Sequence, residues 1–218
     1  MSAERTLVDP ILDSNPITTQ ILGICSALAV TRTLLPAMIM SVAVIAVLAF
    51  SNVAVSLLRR QMPHSVRIII EVTIIASGVI VVDEFLRAYF PDVSRVLSVF
   101  VGLIITNCII LGRTESYAMG HGPWESLLDG VGNGLGYGAV LVVVASAREL
   151  LGAGTLLGYP IVAVSEDGGW YLTNELMLLP PSAFFLIAAI VWGIRALRPG
   201  QREHSVLSAP PSKFQEGN

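Results

Sequence analysis

Cys25 and Cys108 are the two thiols of this 218-residue chain, and each lies inside its own short apolar segment. The segments are 17–30 and 96–111, and the two residues stand 83 positions apart (25 to 108). Their settings are alike, Leu-Gly-Ile-Cys-Ser-Ala-Leu in one and Ile-Thr-Asn-Cys-Ile-Ile-Leu in the other. Thiolates in hydrocarbon are costly unless a metal neutralises them. Zinc and iron–sulfur clusters normally take four protein ligands. This chain offers two, so a shared centre would need two thiolates from another chain. Its histidines add little, because His64 and His121 fall in expected loops and His204 in the tail. A disulfide is disfavoured within a bilayer, and inert packing is the common role of a single buried cysteine. Ser26, beside Cys25, and Thr106 and Asn107, beside Cys108, have groups able to donate to sulfur. Ser and Thr more often bond back to their own helix carbonyls.

The elements that must position these thiols are membrane helices. The chain is 54% hydrophobic and 13% charged, where a soluble domain carries roughly a quarter charged residues. The deficit falls in continuous apolar runs such as 37–50 and 68–82. A membrane barrel would instead show alternating segments of about ten residues. The fold class expected is an all-α polytopic membrane protein with six transmembrane helices. They run at roughly 16–30, 36–58, 66–89, 96–112, 126–151 and 179–197. A full span takes about 20 apolar residues, so the first and fourth helices are short. Residues 1–15 read as a polar cytoplasmic segment, 16–198 as the transmembrane domain and 199–218 as a disordered cytoplasmic tail. Glu4, Arg5, Asp9 and Asp13 precede the first apolar run without forming a basic region, so the first helix is expected to remain in the mature protein.

Net charge, −3, says less than charge location. The loop after the second helix holds Arg59, Arg60, His64 and Arg67, and the C-terminal end holds Arg195, Arg198, Arg202 and Lys213. The long segment 152–177 has no Lys or Arg but carries Glu166, Asp167 and Glu175. Both termini are therefore expected to be cytoplasmic, with 152–177 outside and Trp170 and Tyr171 at the outer interface. Helices one to three and four to six then form two inverted three-helix repeats, about 16–90 and 96–198. Each opens with a short helix that carries one cysteine. Short segments at matching places in inverted halves point to the functional site, and this pattern fits a secondary transporter as well as a redox protein.

Other residues have plainer readings. Gly130, Gly134 and Gly138 give small-xxx-small spacing, which lets membrane helices pack closely. The loose glycine fingerprint at 134–139 lacks the strand and βαβ unit that nucleotide binding requires. Asp83 and Glu84 end the third apolar run and are candidates for an ion pathway, or for interfacial charges. Glu71 is placed to pair with Arg67, and Asp129 is expected to start the fifth helix.

The segments Leu22-Gly23-Ile24-Cys25-Ser26-Ala27-Leu28-Ala29-Val30-Thr31 and Ile104-Ile105-Thr106-Asn107-Cys108-Ile109-Ile110-Leu111-Gly112-Arg113 closely resemble a family of membrane subunits. So do Ser65–Ile69, Asp129–Gly138 and the run 177–186. That family comprises the D subunits of sodium-translocating NADH:quinone oxidoreductases (NqrD) and the related Rnf-complex E subunits (RnfE). The resemblance covers about residues 10–198. It implies that Cys25 and Cys108 supply two ligands of an intramembrane [2Fe–2S] cluster. A homologous E subunit of opposite topology would give the other two cysteines. The implied partners are an NADH-oxidising subunit with FAD and [2Fe–2S] and FMN-bearing subunits, in a six-subunit complex of the bacterial inner membrane. That complex reduces ubiquinone and exports sodium ions. No NADH or quinone active site is implied on this chain, and no nucleic-acid partner. The Rnf complex, linked to ferredoxin, and the secondary transporter are the alternatives. A transporter would not need Cys25 and Cys108.

Overall fold

The computed structural model describes residues 15–17, 20–89, 101–157, 159–160 and 175–197. The expected N-terminal segment before Asn15, the start of the fourth helix at 96–100, Trp170, Tyr171, most of the outer segment and the tail lie outside the described residues.

The described residues are mostly helical. The helices are α1 (Ile24–Val30), α2 (Leu34–Leu58), α3 (Arg67–Tyr89), α4 (Val101–Ile105), α5 (Cys108–Arg113), α6 (Pro123–Ala153) and α7 (Pro180–Leu197). A wide π turn, Thr114–Ala118, continues α5, and Thr155–Leu156 pairs antiparallel with Tyr159–Pro160 after α6. α2 and α6 are each both long and apolar enough to cross a membrane, and α7 is a shorter apolar helix. α3 matches them in length but carries Glu71, Asp83 and Glu84 within its apolar run.

The centre of the fold is the contact between α2 and α6. A Cβ added to Gly130 would lie 3.0 Å from the Ala49 Cα, and one on Gly138 would lie 3.0 Å from the Ser41 Cβ. At Gly134 the added atom would meet Ile45 Cγ1 at 2.8 Å and its Cα at 3.0 Å. The numbers rise on one helix as they fall on the other, so the pair is antiparallel. The glycines act as the spacing predicted: without side chains they let the two backbones touch. Large apolar side chains such as Val42, Val81, Phe185 and Trp192 face outward, whereas Asn52, Asp129, Asn133, Arg148 and Glu149 are buried. That inside-out polarity suits lipid as the solvent.

Three helices depart from the sequence reading. The first begins at Ile24 rather than near Pro16, because the polar contacts of Asn15 and Leu22 hold the described residues ahead of it outside a helix. Asn15 accepts the Ile17 N–H (3.0 Å) and donates to the Gly136 carbonyl (3.0 Å), and the Leu22 N–H closes on the Pro16 carbonyl (2.8 Å). Gly23 then turns the chain into α1 with φ of +82°, a left-handed conformation that glycine adopts without penalty. The fourth helix is not continuous. It breaks at Thr106–Asn107, where extended Asn107 (ψ 117°) caps α5 by accepting the Ile109 N–H at 3.2 Å. Asn favours a cap over a helix interior because its side chain competes for backbone hydrogen bonds. Such irregular backbone is tolerated at membrane depth only where protein or a cavity surrounds it.

α6 also starts earlier than expected, at Pro123, whose missing N–H costs nothing in a first helical turn. It ends at Gly154, which is left-handed (φ 67°) and donates to the Leu150 carbonyl at 3.1 Å. Near this end, Arg148 donates to the carbonyls of Met177 (3.1 Å), Leu178 (3.0 Å) and Leu179 (3.0 Å). It also reaches the Thr31 hydroxyl (2.7 Å) and the Leu28 carbonyl (3.4 Å) at the C-terminal end of α1. The neighbouring Glu149 accepts the Leu34 N–H at 2.6 Å and so caps α2. A buried cation on carbonyl ends and a buried anion on an N–H end both satisfy groups that a helix terminus leaves open.

Candidate metal centre

Cys25 is the second residue of α1 and Cys108 the first of α5, and both side chains are exposed. The two starting turns meet: the Gly23 N–H donates to Cys108 Sγ at 2.8 Å. The sulfur of one half therefore sits against the turn that carries the other cysteine. A single hydroxyl ties the segments together behind the thiols. Ser26 Oγ lies 2.6 Å from the Tyr137 hydroxyl, 3.2 Å from Asn107 Nδ2 and 2.9 Å from the Gly23 carbonyl. The proton count allows one arrangement. Ser26 donates its proton to the carbonyl and accepts from Tyr137 and Asn107, which fills both of its lone pairs.

The expected sulfur neighbours thus divide. Ser26 and Asn107 join the two cysteine segments to each other, whereas the Thr106 hydroxyl bonds back to the Gly102 carbonyl at 2.9 Å. The donor that does reach sulfur is the Gly23 backbone. Sequence reasoning missed that role, and missed Tyr137, which appeared only as a member of the glycine run 130–138. The available signals were Gly23 two positions before Cys25 and a lone aromatic set among glycines.

The donor set is two soft thiols on exposed positions at one junction. Among the described residues no group of three or more His, Cys, Asp or Glu side chains gathers to hold a metal ion. Two thiols suit half of a four-thiolate iron–sulfur site, and both side chains are open.

The other acids lie elsewhere. Asp83 and Glu84 pair with Arg87 on the last turns of α3, at 2.9 and 3.2 Å. Arg67 pairs with Glu115 on the π turn rather than with Glu71. Glu71 is fully buried, and neither of its carboxylate oxygens has a hydrogen-bond partner among the described residues. Asp129 does not start its helix. It lies within α6, buried, in a two-pronged pair with Arg113 of α5, and it accepts from Asn133 Nδ2 at 3.0 Å. Asn52 of α2 completes this network by donating to the Ser126 carbonyl (3.2 Å) and accepting from Thr114 (3.2 Å).

Residues 4–191 match the family described as Rnf-Nqr subunit, membrane protein. The chain belongs to that family. Among its relatives, the D subunit of the Na(+)-translocating NADH-quinone reductase of Pasteurella multocida is 60% identical over 197 residues, 90% of this chain and 95% of the relative. The protein of the same name from Aeromonas hydrophila is 57% identical over 200 residues, covering 92% and 95% of the two chains. That from Yersinia pestis strain Pestoides F is 56% identical over 200 residues, covering 92% and 96%. The relatives are thus named as subunits of an oxidoreductase, and the Rnf-Nqr family assignment agrees with the helical, inside-out fold.

Proposed function

We propose that this chain is an integral membrane subunit of a sodium-translocating NADH:quinone reductase. In this reading Cys25 and Cys108 are two of the four ligands of an intramembrane [2Fe–2S] cluster. The observation that carries it is the junction of α1 and α5, where the Gly23 N–H meets Cys108 Sγ and both thiols stay open. When bound, the cluster would supply a one-electron relay between the NADH-oxidising side of the complex and its FMN-bearing subunits. The chain's own residues do the rest. Gly23 provides a backbone donor to sulfur, while Ser26 and Asn107 lock the two starting turns together. The apolar exteriors of the helices exclude water.

The homologous E subunit is the partner that would bring the other two cysteines. The names of the relatives favour the NADH-linked complex over the ferredoxin-linked one. Six spans in two inverted repeats, with both termini cytoplasmic in a bacterial inner membrane, accommodate this role. The directions of three helices support that topology. α2 runs antiparallel to α6. α1 runs parallel to it, because Tyr137 touches the start of α1 and Arg148 its end. Asp83 and Glu84 stay candidates for the ion pathway at the far end of α3.

The test is iron content and EPR on the co-purified complex carrying Cys25→Ser or Cys108→Ser. Each substitution should delete one [2Fe–2S] signal and quinone reduction while NADH oxidation by the cytoplasmic subunit continues. An unchanged iron count with normal electron flow would make both cysteines packing residues and sink the reading.

A further inference from the structure

Tyr137 is among the largest fully buried side chains, and it projects from the central helix α6 into the junction of the two cysteine segments. Its hydroxyl reaches Ser26, the residue after Cys25, at 2.6 Å. Through Ser26 it is joined to Asn107, the residue before Cys108, at 3.2 Å. Its ring lies against Gly23, where an added Cβ would come within 2.7 Å of Cε2. Gly23 in turn donates to Cys108 Sγ. One side chain therefore bears on both starting turns, by a hydrogen bond on one route and by ring packing on the other. On either side of it, Gly134 and Gly138 touch α2, and the Gly136 carbonyl holds Asn15.

We propose that Tyr137 is a positioning residue that fixes the relative placement of Cys25 and Cys108 and tunes the potential of the cluster they would share. This rests on the reading above that the two thiols are cluster ligands. The direction follows from electrostatics. A reduced cluster carries more negative charge, and N–H donors to its sulfurs stabilise that form. Loss of the Tyr137 hydroxyl leaves Ser26 with two of its three bonds, to Asn107 and the Gly23 carbonyl, and loosens the Gly23 turn, so the Gly23 N–H holds Cys108 Sγ less well and reduction becomes harder. The loss of one neutral hydrogen bond would lower the ratio of reduced to oxidised cluster about threefold at a fixed ambient potential.

The experiment uses Tyr137→Phe, which keeps the ring, and Ser26→Ala, which removes the shared hydroxyl, each in the intact complex. The Cys25→Ser and Cys108→Ser complexes run beside them. The first readout is an EPR-monitored redox titration. The second is the rate at which a short bifunctional thiol reagent bridges Cys25 and Cys108 in cluster-free membranes. Tyr137→Phe and Ser26→Ala should retain iron, lower the potential and slow the bridging, and Ser26→Thr, which restores a hydroxyl, should recover both. Suppose the cysteine variants delete the signal but Tyr137→Phe and Ser26→Ala titrate and bridge like the wild type. The positioning role is then overturned and the cluster reading survives. If the cysteine variants keep the signal, the cluster reading falls and the tuning role with it. Bridging at the wild-type rate in both variants would then overturn the placement role as well.

Discussion

The two cysteine-bearing helices each place a thiol in the first turn, by different chemistry. α1 starts from a glycine in a left-handed conformation with no side-chain cap, and its lead-in is pinned by Asn15. α5 starts from Asn107, whose own side chain caps the first turn after a break from α4. In the first half, conformation and the space left by a missing side chain make the turn. In the second, a polar side chain makes it. Similar placement of two thiols therefore does not require similar local sequence, and each half has its own point of failure.

Three substitutions probe those separate points of failure. The largest effect belongs to Gly23→Ala. A left-handed alanine costs about 1–2 kcal/mol in backbone alone, and the new methyl would push into the buried Tyr137 ring. The substitution should lower the thermal stability of the complex and abolish the EPR signal assigned to the shared cluster. Retention of that signal would show that the Gly23 turn is dispensable. Asn107→Ala comes next. It removes the α5 cap, worth about 0.5–2 kcal/mol, and the bond to Ser26. Partial iron loss and lower thermal stability of the complex are expected, and wild-type iron content and stability would contradict the capping role. Thr106→Val should do least. Its hydroxyl bonds to its own helix, so a stability change within about 0.5 kcal/mol and an unchanged redox titration are expected. A shifted potential would mean that this hydroxyl reaches the cysteines after all.

What was legible in the sequence follows the physics that writes it there. Long apolar runs mark α2, α3, α6 and α7 to within about three residues of their ends, because lipid leaves no other use for such runs. Glycines four apart announced a close helix contact on α6, since a missing side chain has one common purpose at that spacing, but that its partner is α2 appears only in the structure. The break at Thr106–Asn107 was not legible. Thr106 and Asn107 lie between apolar residues, and no Gly or Pro marks the interruption. Its capping geometry appears only when the chain leaves the helix. The same limit hid Tyr137, whose role depends on a serine 111 positions away in the chain. The buried carboxylate of Asp129 was read as the start of a helix because Pro123, the true start, precedes it by nearly two turns.

Whether the two thiols hold iron is decided by a high-resolution map of the intact complex around the open face of the α1–α5 junction. A two-iron density bonded to Cys25 Sγ and Cys108 Sγ is expected, with two thiolates of the homologous partner subunit completing it. Bare thiols packed against lipid or protein at that junction, with every iron atom of the complex found elsewhere, would contradict the cluster role.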